Sequence, residues 1–119
     1  MRPHQKLDLW RRAIEFVVSV YNATDRFPND ERFGLVSQIR RASVSIAANI
    51  AEGAARTSAK EFLQFLSIAQ GSASEVDTEL VIALRLGYVT NEEYDSFARV
   101  LDDIGRMITR LSQSLRRRQ

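Results

Sequence analysis

The chain has 119 residues, of which 45% are hydrophobic and 27% are charged, a size and balance typical of one globular domain with its own core. It has no cysteine, which excludes a disulfide framework, thiolate chemistry and cysteine-ligated metal. No stretch approaches the roughly 18 unbroken apolar residues of a membrane span, and the start MRPHQKLDLW has no apolar signal-peptide core, so we expect a cytoplasmic protein with no membrane partner.

The positive charge of the chain comes almost entirely from arginine. The formal net charge is only +2, yet the sequence pI is about 9.4. Lys6 and Lys60 are the only lysines, so 15 of the 17 cations are arginine. Arginine binds phosphate through its planar fork, and basic surfaces attract nucleic acid. A genome rich in G and C also replaces lysine with arginine without functional meaning, and composition alone favours this second explanation.

The first two predicted helices are separated by the segment DRFPND. The first runs from about Lys6 to Asp25, because apolar residues recur there at helical spacing, namely Leu7, Trp10, Ile14, Val17, Val18 and Tyr21. Pro28 disfavours helix at Phe27. Asn29 or Asp30 is a good cap for the second helix, which we expect over about Asp30 to Ala54.

The third and fourth predicted helices have clear start signals. Ser58 with Glu61 has the form of a capping box and opens a helix that continues to about Leu86. Gly87 follows as a residue suited to the left-handed position after a helix. Thr90 repeats the capping-box pattern with Glu93, and the helix that it opens runs to about Leu115.

The predicted fold is therefore all-α. The links between helices are short, which favours antiparallel packing of successive helices, and no segment shows the period-two alternation of a strand. We predict an antiparallel up-down four-helix bundle in which residues 1–119 form a single domain.

The second helix carries two apolar stripes when it is laid out at about 100° per residue. One is the expected core face, made of Leu35, Val36, Ile39, Ser43, Ile46, Ala47 and Ile50. The other consists of Val44, Ala48, Ala51 and Ala55, spaced four, three and four apart. Alanine on a solvated helix face needs no partner, but Val44 and Gly53 do not fit that explanation. We predict that this small-residue stripe packs on another helix.

The third helix has more apolar surface than one subunit can bury. Its expected core stripe is Phe62, Leu66, Ala69, Ala73, Val76, Leu80 and Ala83, with Leu63 and Val81 on one flank and Ile68, Ile82 and Leu86 on the other. Apolar surface left after the core is filled marks a partner, and self-association is the commonest case. The candidate subunit interface is Val44, Ala48, Ala51, Ala55, Ile68 and Ile82.

The fourth helix combines a conventional core stripe with an arginine stripe. Phe97, Leu101, Ile104, Ile108, Leu111 and Leu115 line one face, and opposite them four arginines fall within about 40° of one line. The candidate nucleic-acid-binding residues are Arg99, Arg106, Arg110, Arg116, Arg117 and Arg118. The stripe is suited to a phosphate backbone. The alternative explanation is a solvated face with cations favoured at a helix C-terminus. Asp102 and Asp103 lie beside the stripe and weaken its positive field.

The sequence offers little for catalysis. His4 has no ligand-like companion, and the inward Glu-x-x-His pairs of a di-iron bundle are missing. Glu75 and Glu79 share a helix face, but no other helix provides a second acidic pair to complete a Mg²⁺ site. A solvated role or an intersubunit ion pair is therefore favoured over metal binding. Asn49 and Glu52 fit hydrogen-bonding residues that fix register at a packed interface. We therefore expect no enzyme activity, metal or cofactor.

Three segments carry a resemblance to a known family: QIRRASVSIAANIAEGAAR, SAKEFLQFLSIAQGSASEVDTEL and LGYVT. The chain resembles the bacterial 23S rRNA intervening-sequence proteins over nearly its whole length. The family often has Pro-Ser where this chain has Ala47-Ala48, which implies a straighter second helix here. The matching positions imply fold and assembly roles rather than a site: Arg40, Arg41, Ser45, Asn49, Glu52, Gly53, Phe62, Gly71, Ser72 and Glu75.

The resemblance implies a four-helix bundle that assembles into a homopentamer. Family members are similar in fold to the accessory variability determinant protein of diversity-generating retroelements, a basic homopentamer that binds nucleic acid and a reverse transcriptase. Two functions follow as expectations. One is a non-enzymatic oligomer that binds RNA or DNA through its arginines. The other is a structural or adaptor oligomer whose partner is another protein.

Overall fold

The computed structural model describes all 119 residues and contains four α-helices and no strand. They are α1 (Asp8–Thr24), α2 (Leu35–Ala54), α3 (Ala59–Arg85) and α4 (Asn91–Arg117), with single 3-10 turns at Pro3–Lys6 and Asn29–Glu31. Each helix packs against the next along the chain, and α1 also packs against α4. The all-α prediction with four helices is confirmed. None of these helices is long and apolar enough to cross a membrane.

The predicted signals at the ends of α3 and α4 are largely confirmed. Thr90 and Glu93 form a complete capping box, each side chain accepting from the other's backbone N–H, at 3.1 and 2.8 Å. Ser58 Oγ accepts from Glu61 N at 3.1 Å, but the Glu61 carboxylate accepts from the Ser58 hydroxyl instead of the Ser58 N–H. Gly87 lies after α3 with φ at 80°, the left-handed conformation that glycine favours.

Helix α2 begins later than predicted. Asn29–Glu31 forms only a 3-10 turn, and Gly34, with φ at −106° and ψ at −110°, lies outside the helical region and interrupts the chain before Leu35. The N-cap residue, Gly34, has no side chain that could accept a hydrogen bond from the first backbone N–H groups of α2. Glu31 takes that role from the preceding turn, since its Oε1 accepts from Leu35 N at 3.3 Å and its Oε2 accepts from Tyr88 Oη at 3.0 Å.

One continuous core receives side chains from all four helices. The stripe predicted for α2 is fully buried. The stripes predicted for α3 and α4 are buried as well, except that Phe62 and Leu111 are half-buried and pack against the edge of the core. Periodicity therefore identified the inward faces of three helices.

The buried face of α1 differs from the apolar stripe whose spacing predicted this helix. The buried apolar residues are Leu9, Ala13, Phe16, Val20 and Ala23, whereas three members of the predicted stripe are exposed: Ile14 by 36%, Val18 by 55% and Tyr21 by 41%. Both stripes have helical spacing, so periodicity alone does not separate them. The stripe with Phe16 is the one that packs inward, and its ring meets Phe97 of α4 edge to face, with the ring centroids 5.9 Å apart.

The glycine at position 53 is explained by packing within the chain and not by a second interface. A Cβ at this position would lie 2.7 Å from Phe62 Cδ1 and 2.9 Å from Phe65 Cβ, both on α3. Real Cβ atoms do not approach other atoms this closely, and Phe65 Cβ is fixed to the α3 backbone. The end of α2 therefore needs glycine so that it can pack this closely on the start of α3.

We predict that Gly53→Ala lowers the free energy of unfolding by about 1–3 kcal/mol, because the added methyl group overpacks the contact with α3. The matched control is Gly71→Ala, another glycine inside a helix, where an added Cβ meets nothing within 4 Å. That change should raise the free energy of unfolding by about 0.5–1 kcal/mol through helix propensity. Urea unfolding of dilute protein measures both, and equal stabilisation by the two changes would contradict the steric role of Gly53.

Candidate nucleic-acid and subunit interfaces

The predicted arginine stripe lies on the surface of α4. Arg99, Arg106, Arg110 and Arg117 are exposed, on the side of the helix opposite its buried residues. Arg116 and Arg118 are also exposed. All six candidate residues are therefore accessible to a ligand in the single chain, and their role in binding stays a prediction.

Charge is divided unevenly along α4. Residues 91–103 contain five acidic residues and one arginine, whereas residues 104–117 contain four arginines and no acidic residue. The electropositive part of the helix is therefore its C-terminal half. Arg99 lies apart from this half, among carboxylates, and is the weakest of the six candidates.

Ion pairs neutralise only one arginine of the stripe. Asp103 pairs with Arg106 of its own helix and with Arg12 of α1, the latter at 3.1 Å. The hydrogen bonds that Arg12 and Arg106 donate lower the pKa of Asp103 below its usual value. Arg110 has no ion-pair partner within the chain. The expected weakening by acidic neighbours thus affects Arg99 and Arg106, and no carboxylate pairs with an arginine at the end of α4.

A groove between α3 and α4 runs beside the arginines. Arg106 and Arg110 line it together with the acidic Asp102 and with Gln70, Leu101, Gly105 and Thr109. It continues towards the end of α4 past Ser67, Ser112 and Arg116. Sequence reasoning missed these hydroxyl and amide groups, although the wheel of α4 places Thr109 and Arg116 on one side of the arginine stripe. Polar groups of this kind hydrogen-bond phosphate and sugar oxygens.

The opposite end of the same groove is acidic. Asp77, Tyr94 and Asp102 line it near the start of α4. The Tyr94 hydroxyl donates to Asp77 Oδ1 at 2.7 Å, and this bond is the main reason that the pKa of Tyr94 is raised to about 12. The acidic end repels phosphate, so a polyanion fits only the end that carries Arg110 and Arg116.

The small-residue stripe of α2 is accessible in the single chain. Val44, Ala48 and Ala55 are exposed, and Ala51 is half-buried. On α3, Ile68 is 52% exposed and Ile82 is 45% exposed. The six candidate interface residues thus lie on the outer surface, and nothing in the chain covers them.

Sequence reasoning missed the contribution of α1 to this apolar surface. Ile14, Val18 and Tyr21 are exposed, and the wheel of α1 places them on the side nearer Thr24, which bonds to α2. The sequence analysis used them only as evidence that α1 is a helix. The exposed apolar surface therefore extends over α1, α2 and α3, and α4 presents the arginines.

The paired arginines of α2 have different roles. Arg40 Nε donates to Thr24 Oγ1 at 2.9 Å and its Nη2 donates to the Tyr21 carbonyl at 3.2 Å. Its guanidinium carbon lies 4.4 Å from the centre of the Tyr21 ring. Arg41, by contrast, is exposed and forms no hydrogen bond or ion pair. Arg40 therefore fastens α1 to α2, and only Arg41 is free for a partner.

Register between α2 and α3 is fixed by serine hydroxyls. Ser45 Oγ and Ser72 Oγ are 2.8 Å apart, and Asn49 Nδ2 donates to the Ser45 carbonyl at 2.8 Å and to Ser45 Oγ at 3.0 Å. Asn49 thus acts on register only through Ser45. Glu52 is exposed and makes no side-chain contact of this kind.

The acidic cluster on α3 separates into different environments. Asp77 accepts from Tyr94, and Glu75 is exposed. Glu79 is buried, with 6% of its surface exposed, so the solvated role expected for it is wrong. Burial first, and then the neighbouring Glu75, raise the pKa of Glu79 to about 7. No group of three or more acidic or histidine residues is arranged to hold a metal ion.

Comparison with known proteins supports the resemblance. The family model described as 23S rRNA-intervening sequence protein matches residues 5–110. A solved structure from Bacteroides thetaiotaomicron VPI-5482, described as a protein with unknown function from the S23 ribosomal protein family, is similar with a TM-score of 0.81 and 28% sequence identity. The match covers 87% of this chain and 97% of that one. No curated protein matches.

We predict that Arg40→Ala lowers the free energy of unfolding by about 1–3 kcal/mol, because it removes two hydrogen bonds and a cation–π contact. Arg41→Ala makes the same chemical change at an exposed position and should alter stability by no more than about 0.5 kcal/mol. Urea unfolding of dilute protein compares the two variants. Equal effects would show that Arg40 does not hold α1 on α2.

Proposed function

Because the chain belongs to the 23S rRNA-intervening sequence protein family, we propose that it is a non-enzymatic oligomeric protein that binds RNA or DNA through the arginines of α4. Such a protein would bind rRNA in the cytoplasm, which is the location that we propose. The similar solved protein is described as having unknown function, so the argument depends on the surface itself. The observation that carries it is the exposed arginine half of α4 beside a polar groove.

The dimensions of this surface suit a nucleic acid. Arg106 and Arg117 are eleven residues apart, or about 16 Å along a helix that rises about 1.5 Å per residue. Phosphates on one strand of a duplex recur about every 3.4 Å along its axis. The arginine half of α4 therefore spans several successive phosphates. Contacts to phosphate give binding that depends on salt and little on sequence.

The helix dipole explains only part of this arrangement. Cations are favoured at a helix C-terminus, but the effect falls off within the last turn. It accounts for Arg116 and Arg117, which end α4. Arg106 and Arg110 lie two or more turns earlier, where the dipole gives them no advantage. Their alignment with Arg117 is what favours a polyanionic ligand over a merely solvated face.

We also propose that the helices form an up-down antiparallel bundle. Arg12 of α1 pairs with Asp103 of α4, and Arg26 further along α1 pairs with Glu93, which lies earlier in α4. Residue numbers thus rise along α1 as they fall along α4. The same order holds between α2 and α3, since Gly53 lies against Phe62 and the hydroxyl of Ser45 bonds that of Ser72.

Assembly into an oligomer is the second part of the proposal. Large apolar residues are exposed on three of the four helices, among them Val18 of α1, Val44 of α2 and Ile68 of α3, and exposed apolar surface is typical of a site where a partner binds. A second copy of the chain is the simplest cover. The number of five subunits rests on the resemblance to pentameric proteins.

An adaptor role is the alternative. The same apolar surface suits another protein as well as a second copy, and a net charge of +2 gives weak general attraction to nucleic acid. In that case the arginines of α4 are solvated and the partner binds on α1, α2 and α3. Binding of nucleic acid decides between the two functions.

We predict salt-dependent binding of a structured 23S rRNA fragment, with an affinity that falls steeply between 50 and 200 mM salt. Replacing Arg110, Arg116 and Arg117 with alanine should weaken binding and reduce the log–log salt slope by about 2 to 3, because each lost phosphate contact removes about 0.7–0.9. Filter binding across a salt series measures both quantities. A duplex DNA of equal length tests preference for RNA.

The control for this experiment removes the same charge elsewhere. Arg2, Arg32 and Arg85 are exposed and lie outside α4, so their replacement with alanine should leave the salt slope nearly unchanged. Equal weakening by the two triple variants would mean that only net charge matters. Absence of binding at 50 mM salt would reject the nucleic-acid function and favour the adaptor.

We predict that Ala48→Arg dissociates the oligomer, because the large charged side chain replaces a methyl group in the middle of the small-residue stripe. Light scattering should then give a mass near the 13.5 kDa of one chain. Ser19→Arg adds the same side chain at an exposed position of α1 beside α4 and should leave the mass of the oligomer unchanged. An Ala48→Arg protein with the mass of the original oligomer would show that the stripe is not an interface.

A further inference from the structure

A groove between α2 and α3 contains a buried carboxyl group, one oxygen of which has no hydrogen-bond partner. Gln38, Arg41, Ala42 and Ser45 of α2 line this groove with Glu75 and Glu79 of α3. Glu79 is 94% buried, as only 6% of its surface is exposed, and its Oε1 has no hydrogen-bond partner. A buried polar atom without a partner is costly, so this acceptor indicates a missing ligand.

The charges around the groove leave its carboxyl pair unneutralised. Glu75 lies one turn before Glu79 on the same side of α3, and it adds its negative charge to the site. Arg41 of α2 is the only cation that lines the groove, and it forms no ion pair with either carboxyl group. A cation is thus the complementary occupant.

The surface around the groove identifies the kind of molecule that brings this cation. Ile68 and Ile82 lie within about 60° of the carboxyl pair on the wheel of α3, and both are exposed. Ala48 of α2 is exposed as well. A free metal ion or small amine gains nothing from these apolar groups, whereas a protein surface with an embedded cation matches both.

We propose that this groove, the α2–α3 carboxyl groove, binds the guanidinium of an arginine from a second copy of the chain. The inference rests on the oligomer proposed above and assigns it a specific ion pair. Guanidinium binds carboxylate in a bidentate, planar arrangement. Arginine is the main cation that a second copy offers, since only two of its 17 cations are lysine, and several arginines, such as Arg56, are exposed without an ion-pair partner.

Occupancy of the groove links assembly to pH. In the free chain the pKa of Glu79 is about 7, raised by burial and by Glu75. A guanidinium beside it favours the charged carboxylate and lowers that pKa, so docking releases a proton. Association therefore tightens as pH rises. From pH 6 to pH 8 the dissociation constant should fall about tenfold for each groove filled, as linkage requires for a free pKa near 7. Arg41 and Glu75 are the charged groups that face Glu79.

The test is sedimentation velocity over a dilution series at pH 6 and pH 8. The original protein should associate more tightly at pH 8 than at pH 6, with a dissociation constant lower by about tenfold for each groove filled. Glu79→Gln keeps the shape of the side chain but has no charge, so it should weaken association at pH 8 and remove the dependence on pH. Glu15→Gln makes the same change at an exposed position of α1 and should leave both properties intact.

The outcomes separate this inference from the proposed function. If the protein forms a stable oligomer and its association changes neither with pH nor with Glu79→Gln, the groove assignment is overturned. The proposed oligomer is then still supported. A monomer at every concentration overturns the oligomer itself, and with it the groove assignment. Arg41→Gln should preserve the dependence on pH, and its loss would show that Arg41 of the same chain is the occupant. If Glu79→Gln does not fold, Glu75→Gln and the pH series of the original protein decide.

Discussion

The close packing of α2 on α3 is the constraint on which the rest of this structure depends. Gly53 lies under Phe62 and Phe65, where even a methyl group would collide, and the hydroxyls of Ser45 and Ser72 meet two turns away. Helices approach this closely only where the side chains between them are small. The run of alanine and serine in α2 therefore serves first to bring α3 near, and the outer small-residue stripe is a separate feature of the same helix.

This close approach shapes the surfaces on either side. Because α2 lies near α3, Glu79 is covered at the edge of the groove instead of extending into water, and its carboxyl group meets the side of α2 that carries Ala42 and Arg41. On the other side of α2, Arg40 holds α1 through Thr24 and Tyr21. The exposed stripe of α1 then extends the apolar surface of α2. One tight helix pair thus determines both a buried carboxyl group and a broad apolar face.

The sequence predicted the structural features that are determined by residues close together in the chain. Thr90 with Glu93 and Gly87 identified helix ends, and the periodicity of α2 and α4 identified their core faces. Periodicity identified α1 as a helix but not its core face, because its two apolar stripes have the same period and the contact of Phe16 with Phe97 forms on only one of them. Neither the close contact at Gly53 nor the burial of Glu79 leaves a local signal, since each depends on a neighbouring helix. The same holds for the different environments of Arg40 and Arg41.

The division of surfaces among the helices resolves the conflict between a small net charge and binding to a polyanion. A single chain of net charge +2 gives only a weak general attraction. Its exposed apolar residues are on α1, α2 and α3, and its arginine half is on α4, so the proposed assembly through the apolar residues would leave every copy of Arg110 and Arg116 in solvent. Several copies on one particle act together, and linked weak contacts give an avidity far above that of one site. Under the proposed function, assembly and nucleic-acid binding would be one mechanism: the apolar face would bring the copies together, and the acidic half of each α4 would confine the polyanion to the arginine end of its groove.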